Sequence, residues 1–238
     1  MTRSLWDLAA TLRGHTWVDL SHQFAAGQPR YPTDPDQDTE LWTSVAADGA
    51  LVWRYRLIGQ WGTHVDAPVH FHPGARTLGE IPAAECVAPL AVVDFSAQAA
   101  ADPDALVTAE TLVEWERAHG RVPAGSFVAL HTGWAARWDG DMHNDFHYPG
   151  WSVTALRLLH ERGVCAIGHD VTDADGGRAV ARGQLPAQSW WLGQDHWMIE
   201  SLTNLDRVPA TGALVVASWP VPAGQASGFP ARVVACLP

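Results

Sequence analysis

The sequence predicts an α/β layer architecture with at least part of its sheet parallel, and three observations carry that reading. Short apolar runs at residues 90–95, 126–130 and 164–167 read as buried strands. Between them, residues 108–119 and 152–162 carry apolar positions at helical spacing, and each closes on a glycine, Gly120 or Gly163. Finally, the alternation of strand, helix and strand needs crossovers, which parallel pairing requires and hairpins do not.

In chain order, residues 5–12 have helical spacing, and Gly14 separates them from a first strand at 17–20. Residues 29–38 hold three prolines and several aspartates and read as loop. Residues 52–58 alternate toward a strand that runs into a histidine-rich segment. Thr108 is a suitable N-cap for the helix at 108–119, with Glu110 in its first turn. Residues 192–205 leave helix and strand both open, whereas 213–218 and 232–235 read as late strands closing a barrel-like sheet. No repeat, low-complexity tract or charge block divides the chain, so residues 1–238 form one domain.

Composition narrows the class of partner. Hydrophobic residues make up 47% of the chain and charged ones 17%, as in an ordinary globular protein. A net charge of -11 leaves no basic stripe for phosphates, which argues against nucleic acid and anionic membrane and favours a small neutral or cationic molecule. The first residues mix charges into their apolar positions, unlike a signal peptide, and no stretch has the length of a membrane span, so a cytoplasmic location is expected. Cys86, Cys165 and Cys236 lack paired spacing and are given no catalytic role.

Residues 59–72 read Gly-Gln-Trp-Gly-Thr-His-Val-Asp-Ala-Pro-Val-His-Phe-His. Gln60, His64, Asp66 and His70 lie an even number of positions apart. An extended segment therefore puts all four on one face and Trp61, Thr63 and Val65 on the other. Gly62, the β-branched Thr63 and Val65, and Pro68 argue against a helix. Imidazole and carboxylate are the usual ligands of a catalytic divalent metal, and three protein ligands leave a position at which water is activated. The bland alternative is a polar surface loop that holds histidines by chance.

This stretch resembles the His-x-Gly-Thr-His-x-Asp-x-Pro-x-His signature of the metal-dependent cyclase family, which includes bacterial kynurenine formamidase and isatin hydrolase. The likeness continues through Trp17-Val-Asp-Leu-Ser, Thr77-Leu-Gly-Glu-Ile-Pro, His131-Thr-Gly-Trp, Gly168-His-Asp and Glu200-Ser-Leu-Thr-Asn-Leu, in the family's order. It implies a swivelling β/β/α fold of mixed sheets with a barrel-like core and flanking helices. It also implies a homodimer or homotetramer, and hydrolysis of an amide, lactam or ester of a small molecule by metal-activated water. By the same resemblance Gln60, His64 and Asp66 hold the metal, Glu200 approaches it, and Gln188 stands where two-zinc members hold a second ion. Trp17 and Phe71 are then substrate contacts.

Two departures stand out, since Gln60 and Gln188 each occupy a position where histidine is usual. An amide oxygen is a harder ligand than imidazole and tilts the preference from zinc toward manganese. His70 is expected as general base on the water and then general acid to the leaving group, with a fourth ligand or a partner orienting Asp66 as its alternative. His169, following the strand at 164–167, is a secondary ligand candidate beside Asp170. His72 reads as bordering the pocket or solvated, and His15, His22, His119, His143, His147 and His160 as surface. Thirteen tryptophans are assigned to core and subunit interface. Two further readings stay open: a binding protein that lost its metal, and a ring-closing or dehydrating cyclase with the metal as Lewis acid.

Overall fold

The computed structural model describes residues 4–238, so the first three residues of the stretch read as unlike a leader lie outside it. Helix α1 (Leu5–Arg13) starts at Ser4, whose hydroxyl accepts from the Asp7 amide while the Asp7 carboxylate accepts from Ser4 N. Strand β1 (Trp17–Asp19) follows. Then β2 (Asp38–Thr43), the short helix α2 (Val45–Asp48) and β3 (Val52–Arg56) build a two-stranded antiparallel arm, exposed almost throughout. The expected strand at 52–58 thus exists, but it pairs within this arm and breaks before the histidine-rich segment.

That segment supplies β4 (His64–Asp66). Next come β5 (Val87–Asp94), α3 (Ser96–Ala101), β6 (Leu106–Val107) and α4 (Ala109–His119), the last N-capped by Thr108 as expected. Strand β7 (Phe127–His131) leads through β8 (Gly150–Trp151) to α5 (Val153–Glu161) and β9 (Ala166–His169). Helices α6 (Gly177–Val180) and α7 (Pro186–Gly193) precede β10 (Trp197–Glu200), so the ambiguous stretch at 192–205 holds the end of a helix and then a strand. Strands β11 (Ala213–Ser218), β12 (Gly228–Pro230) and β13 (Arg232–Cys236) complete the chain.

Nine strands form one mixed sheet in the order β1-β13-β11-β5-β7-β9-β10-β4-β12. Its centre, β5-β7-β9-β10, is parallel, as the strand-helix alternation predicts, and both flanks are antiparallel. A bridge between Ser21, beyond β1, and Leu202, beyond β10, draws the sheet into a curled half-barrel.

Period-two alternation divides the central strands between two cores. Leu90, Val92, Phe127, Ala129, Trp197 and Ile199 face the inside of the curl with Val65, Val215 and Val233. Ala91, Val93, Val128, Leu130, Ile167 and Met198 pack outward against Leu112 and Trp115 of α4, Leu156 and Leu159 of α5, and Trp191 of α7. Burial on both faces explains why these strands read as unbroken apolar runs. Each fully buried aliphatic side chain contributes about 1.5–3 kcal/mol relative to exposure. Among the described residues no helix is long and apolar enough to cross a membrane.

Candidate metal centre

The histidine-rich segment is extended only over His64–Asp66, which corrects the expectation of one strand from Gln60 to His70. Gly62 takes a left-handed φ of 67°, and Pro68 opens a 3₁₀ turn, Pro68–His70, so the backbone bends on both sides. Within the strand the alternation holds. Val65 enters the inner core, while His64 and Asp66 point to the helical side. Thr63 is also buried, its hydroxyl donating to the Ser201 carbonyl across 2.6 Å.

Sheet register then assembles a row of polar groups. Antiparallel pairing sets Glu200 opposite His64 and Met198 opposite Asp66. On the other side of β10, parallel pairing aligns Ile199 with Gly168, so one further step puts His169 beside Glu200. His64 Nε2 lies 3.5 Å from Glu200 Oε2 and 3.7 Å from Asp66 Oδ2, and His169 Nε2 lies 3.5 Å from Glu200 Oε1. Ligand atoms of His64, Asp66 and Glu200 all fall within 4.8 Å of one another, and all three residues are buried.

The two glutamines brace this group. Gln60 Nε2 donates to Asp66 Oδ1 at 3.1 Å and to Ser227 Oγ at 3.3 Å, and lies 3.5 Å from His70 Nδ1. From the other side Gln188 Nε2 donates to Asp66 Oδ2 at 3.2 Å. Both amides thus turn nitrogen toward the carboxylate, and the third charged donor beside His64 and Asp66 is Glu200. Gly228 makes the packing feasible, because a Cβ there would collide with the Gln60 amide and come within 2.9 Å of Asp66 Oδ1.

Two buried carboxylates this close require a positive partner. Burial, then the charges of Asp66 and Asp173, push Glu200 well above the usual carboxylate range. Burial disfavours charge on His64 as well, yet Asp66 beside it holds the imidazole above its ordinary value. Asp66 stays low against its own burial because of His64. His169, wholly buried and near His64, falls to about 3 and is neutral.

His64 Nδ1 donates to the Gly62 carbonyl at 2.8 Å, which fixes the ring and turns Nε2 to the carboxylates. His64 Nε2, Glu200 Oε1 and both His169 nitrogens are buried without a hydrogen-bond partner. One imidazole and two carboxylates converging on a point, with these orphaned atoms around it, fit a divalent cation.

A cavity of about 460 Å³ opens from this group. Gln60, His64, Asp66, His70, Phe71, Gln188 and Glu200 all line it, together with Tyr31, Asp34, Ile58, Thr172, Asp173 and Leu185. Trp17 does not. It lies at the opposite edge of the sheet, 41% exposed, with its indole N–H on the Leu12 carbonyl. His169 ends β9 instead of following it, and the Asp170 carboxylate turns away to the backbone and hydroxyl of Thr132.

His72 donates to the Ser189 carbonyl at 2.7 Å, tying the motif to α7. Of the histidines expected at the surface, His15, His119 and His160 are exposed, but His22, His143 and His147 are half-buried. His22 stacks on Trp138 with ring centroids 3.9 Å apart. Cys165 is half-buried, and burial pushes its thiol up to about 11, in keeping with no nucleophilic role.

Sequence reasoning missed Asp173. The visible signal was the acidic run Asp170, Asp173 and Asp175 just after a parallel strand, where α/β folds place functional groups.

Known proteins resemble the chain over most of its length. Over 206 residues the chain is 32% identical to an isatin hydrolase of Roseibium aggregatum, covering 81% of this chain and 78% of that protein. A kynurenine formamidase of Bordetella petrii is 27% identical over 217 residues, covering 91% and 95%. The fold superimposes on isatin hydrolase A from Labrenzia aggregata bound to benzyl benzoate with a TM-score of 0.90, at 29% identity and 99% coverage of both chains. The family model described as "Putative cyclase" matches residues 18–176, and the chain belongs to that cyclase family.

Proposed function

We propose that the protein is a divalent-metal-dependent hydrolase that opens a carbon–nitrogen bond, in an amide or lactam, of a small aromatic molecule. The observation that carries this is the buried convergence of His64, Asp66 and Glu200 on one point of the cavity. Relatives named for isatin and kynurenine-formamide hydrolysis support an aromatic substrate. Manganese or zinc suits the donor set.

An ion held by His64, Asp66 and Glu200 would polarise the scissile carbonyl and lower the pKa of a water at the open position. The remaining work belongs to the chain. Asp66, held on both oxygens by Gln60 and Gln188, keeps its carboxylate aimed at the centre. His70, half-buried on the 3₁₀ turn, lines the cavity, and its imidazole would take a proton from the attacking water and return it to the leaving nitrogen. Phe71, Ile58 and Leu185 supply an apolar wall against which an aryl ring packs and water is excluded.

The test is to load purified protein with manganese or zinc and assay isatin, N-formylated aryl amines and aryl lactones with product analysis in ¹⁸O-labelled water. Label in a newly formed carboxylate supports hydrolysis. Loss of water from the substrate, with no label gained, would establish the ring-closing alternative.

A further inference from the structure

Asp173 is built into the cavity wall with unusual care for a residue outside the metal group. It is only 7% exposed and lines the cavity. The segment that carries it is pinned from three sides. Ser201 N donates to the Val171 carbonyl, Trp151 N donates to the Ala174 carbonyl, and Asp175 accepts from the Ala187 and Gln188 amides at the start of α7. Its carboxylate is asymmetrically satisfied. Tyr148 donates its hydroxyl to Oδ2 at 2.6 Å and Thr172 donates to the same oxygen at 3.1 Å, whereas among the described residues no donor reaches Oδ1. Two donors on one oxygen fix the plane of the group and leave the other oxygen, on a residue that lines the cavity, free to accept.

We infer that Asp173 Oδ1 accepts a hydrogen bond from an N–H of the substrate and thereby selects secondary amides and N–H lactams over N-substituted amides and esters. This rests on the hydrolase reading above and adds the substrate class to it. The energetic reason is an asymmetry: a bound substrate with the N–H gives the acceptor a partner, while a bound substrate without it displaces water from a carboxylate oxygen and leaves that oxygen unpaired. The other cavity carboxylates are committed elsewhere, Asp66 and Glu200 to the metal group, and Asp34 is only half-buried on the outer loop.

Three probes separate the terms: an aryl γ-lactam, its N-methyl derivative and the lactone of the same ring, each rate divided by its rate with hydroxide alone. Metal-loaded wild type is expected to favour the N–H lactam over both others by roughly tenfold or more in kcat/KM. In Asp173→Asn the side-chain oxygen would take over the bonds from Tyr148 and Thr172 and turn an NH₂ into the cavity. The N–H lactam should then lose at least about tenfold while the lactone holds or gains, so that the preference collapses or inverts. Equal normalised rates for all three probes in wild type would overturn the inference without any variant. So would an unchanged preference in Asp173→Asn, with hydrolysis itself intact. Absence of hydrolysis of every probe and of N-formylated aryl amines by metal-loaded wild type would instead bring down the hydrolase reading.

Discussion

Gln188 donates its side-chain amide to Asp66 Oδ2 across 3.2 Å, on the oxygen opposite the one held by Gln60. A buried carboxylate held on both oxygens is fixed in orientation before any ion arrives. Gln188→Leu should therefore weaken metal binding by about 10–100-fold while the fold stays intact. Competition against a chromogenic chelator measures this, and an unchanged affinity would show that Gln188 does not orient Asp66.

Metal content tests the centre itself. Protein prepared without chelator should carry one divalent ion per chain by elemental analysis, and His64→Ala and Glu200→Ala should each abolish that stoichiometry. A full equivalent retained in Glu200→Ala would hand the third position to Gln60.

His70 stands apart from the three convergent groups, on the turn that follows β4. His70→Ala should keep its metal and lose on the order of a hundredfold or more in turnover. Loss of metal together with activity would make His70 a ligand.

Stability should depend on pH through histidines outside the His64, Asp66 and Glu200 group. Burial pushes His22 down to about 4, and burial followed by neighbouring His160 does the same to His196. Both are neutral in the fold and take up a proton on unfolding below their ordinary value of 6.5. The unfolded state therefore binds more protons between about pH 6.5 and 4, and stability falls as pH drops through that window. The urea midpoint of chelator-treated protein should decrease from pH 7 to pH 5. His22→Phe, which preserves the ring stack on Trp138, should flatten the decrease, and an equally steep profile in that variant would exclude His22 from it.

The exposed arm of β2 and β3 presents Leu41, Trp42, Trp53 and Tyr55 to solvent, while Trp61, Trp151, Trp191 and Trp197 fill the core. Aromatic surface of this kind suits contact between copies of the chain. We expect a homodimer or homotetramer by multi-angle light scattering, and a monomeric mass at micromolar concentration would refute that.

The parallel centre of the sheet was legible because strands buried on both faces and capped helices each leave a local signature, as at Phe127–His131 and Thr108. His64 and Asp66 were legible for the same reason, since their spacing is a property of one short strand. Glu200 lies far along the chain and reaches His64 only through sheet register, which no local pattern records. Period-two reasoning failed at His70 because a glycine and a proline end the strand on either side of three residues. The role of Gln60 was read from its oxygen, whereas hydrogen bonding to Asp66 and Ser227 engages its nitrogen.

His64, Asp66 and Glu200 sit on strands paired on both sides, β4 and β10, while Tyr31, Ile58 and Leu185 reach the cavity from segments outside the sheet. A substitution in those outer segments disturbs little packing and no sheet register. The fold thereby separates what must be inherited intact from what is free to drift. On this frame one small molecule can be exchanged for another through a few changes at the rim that leave His64, Asp66 and Glu200 in place.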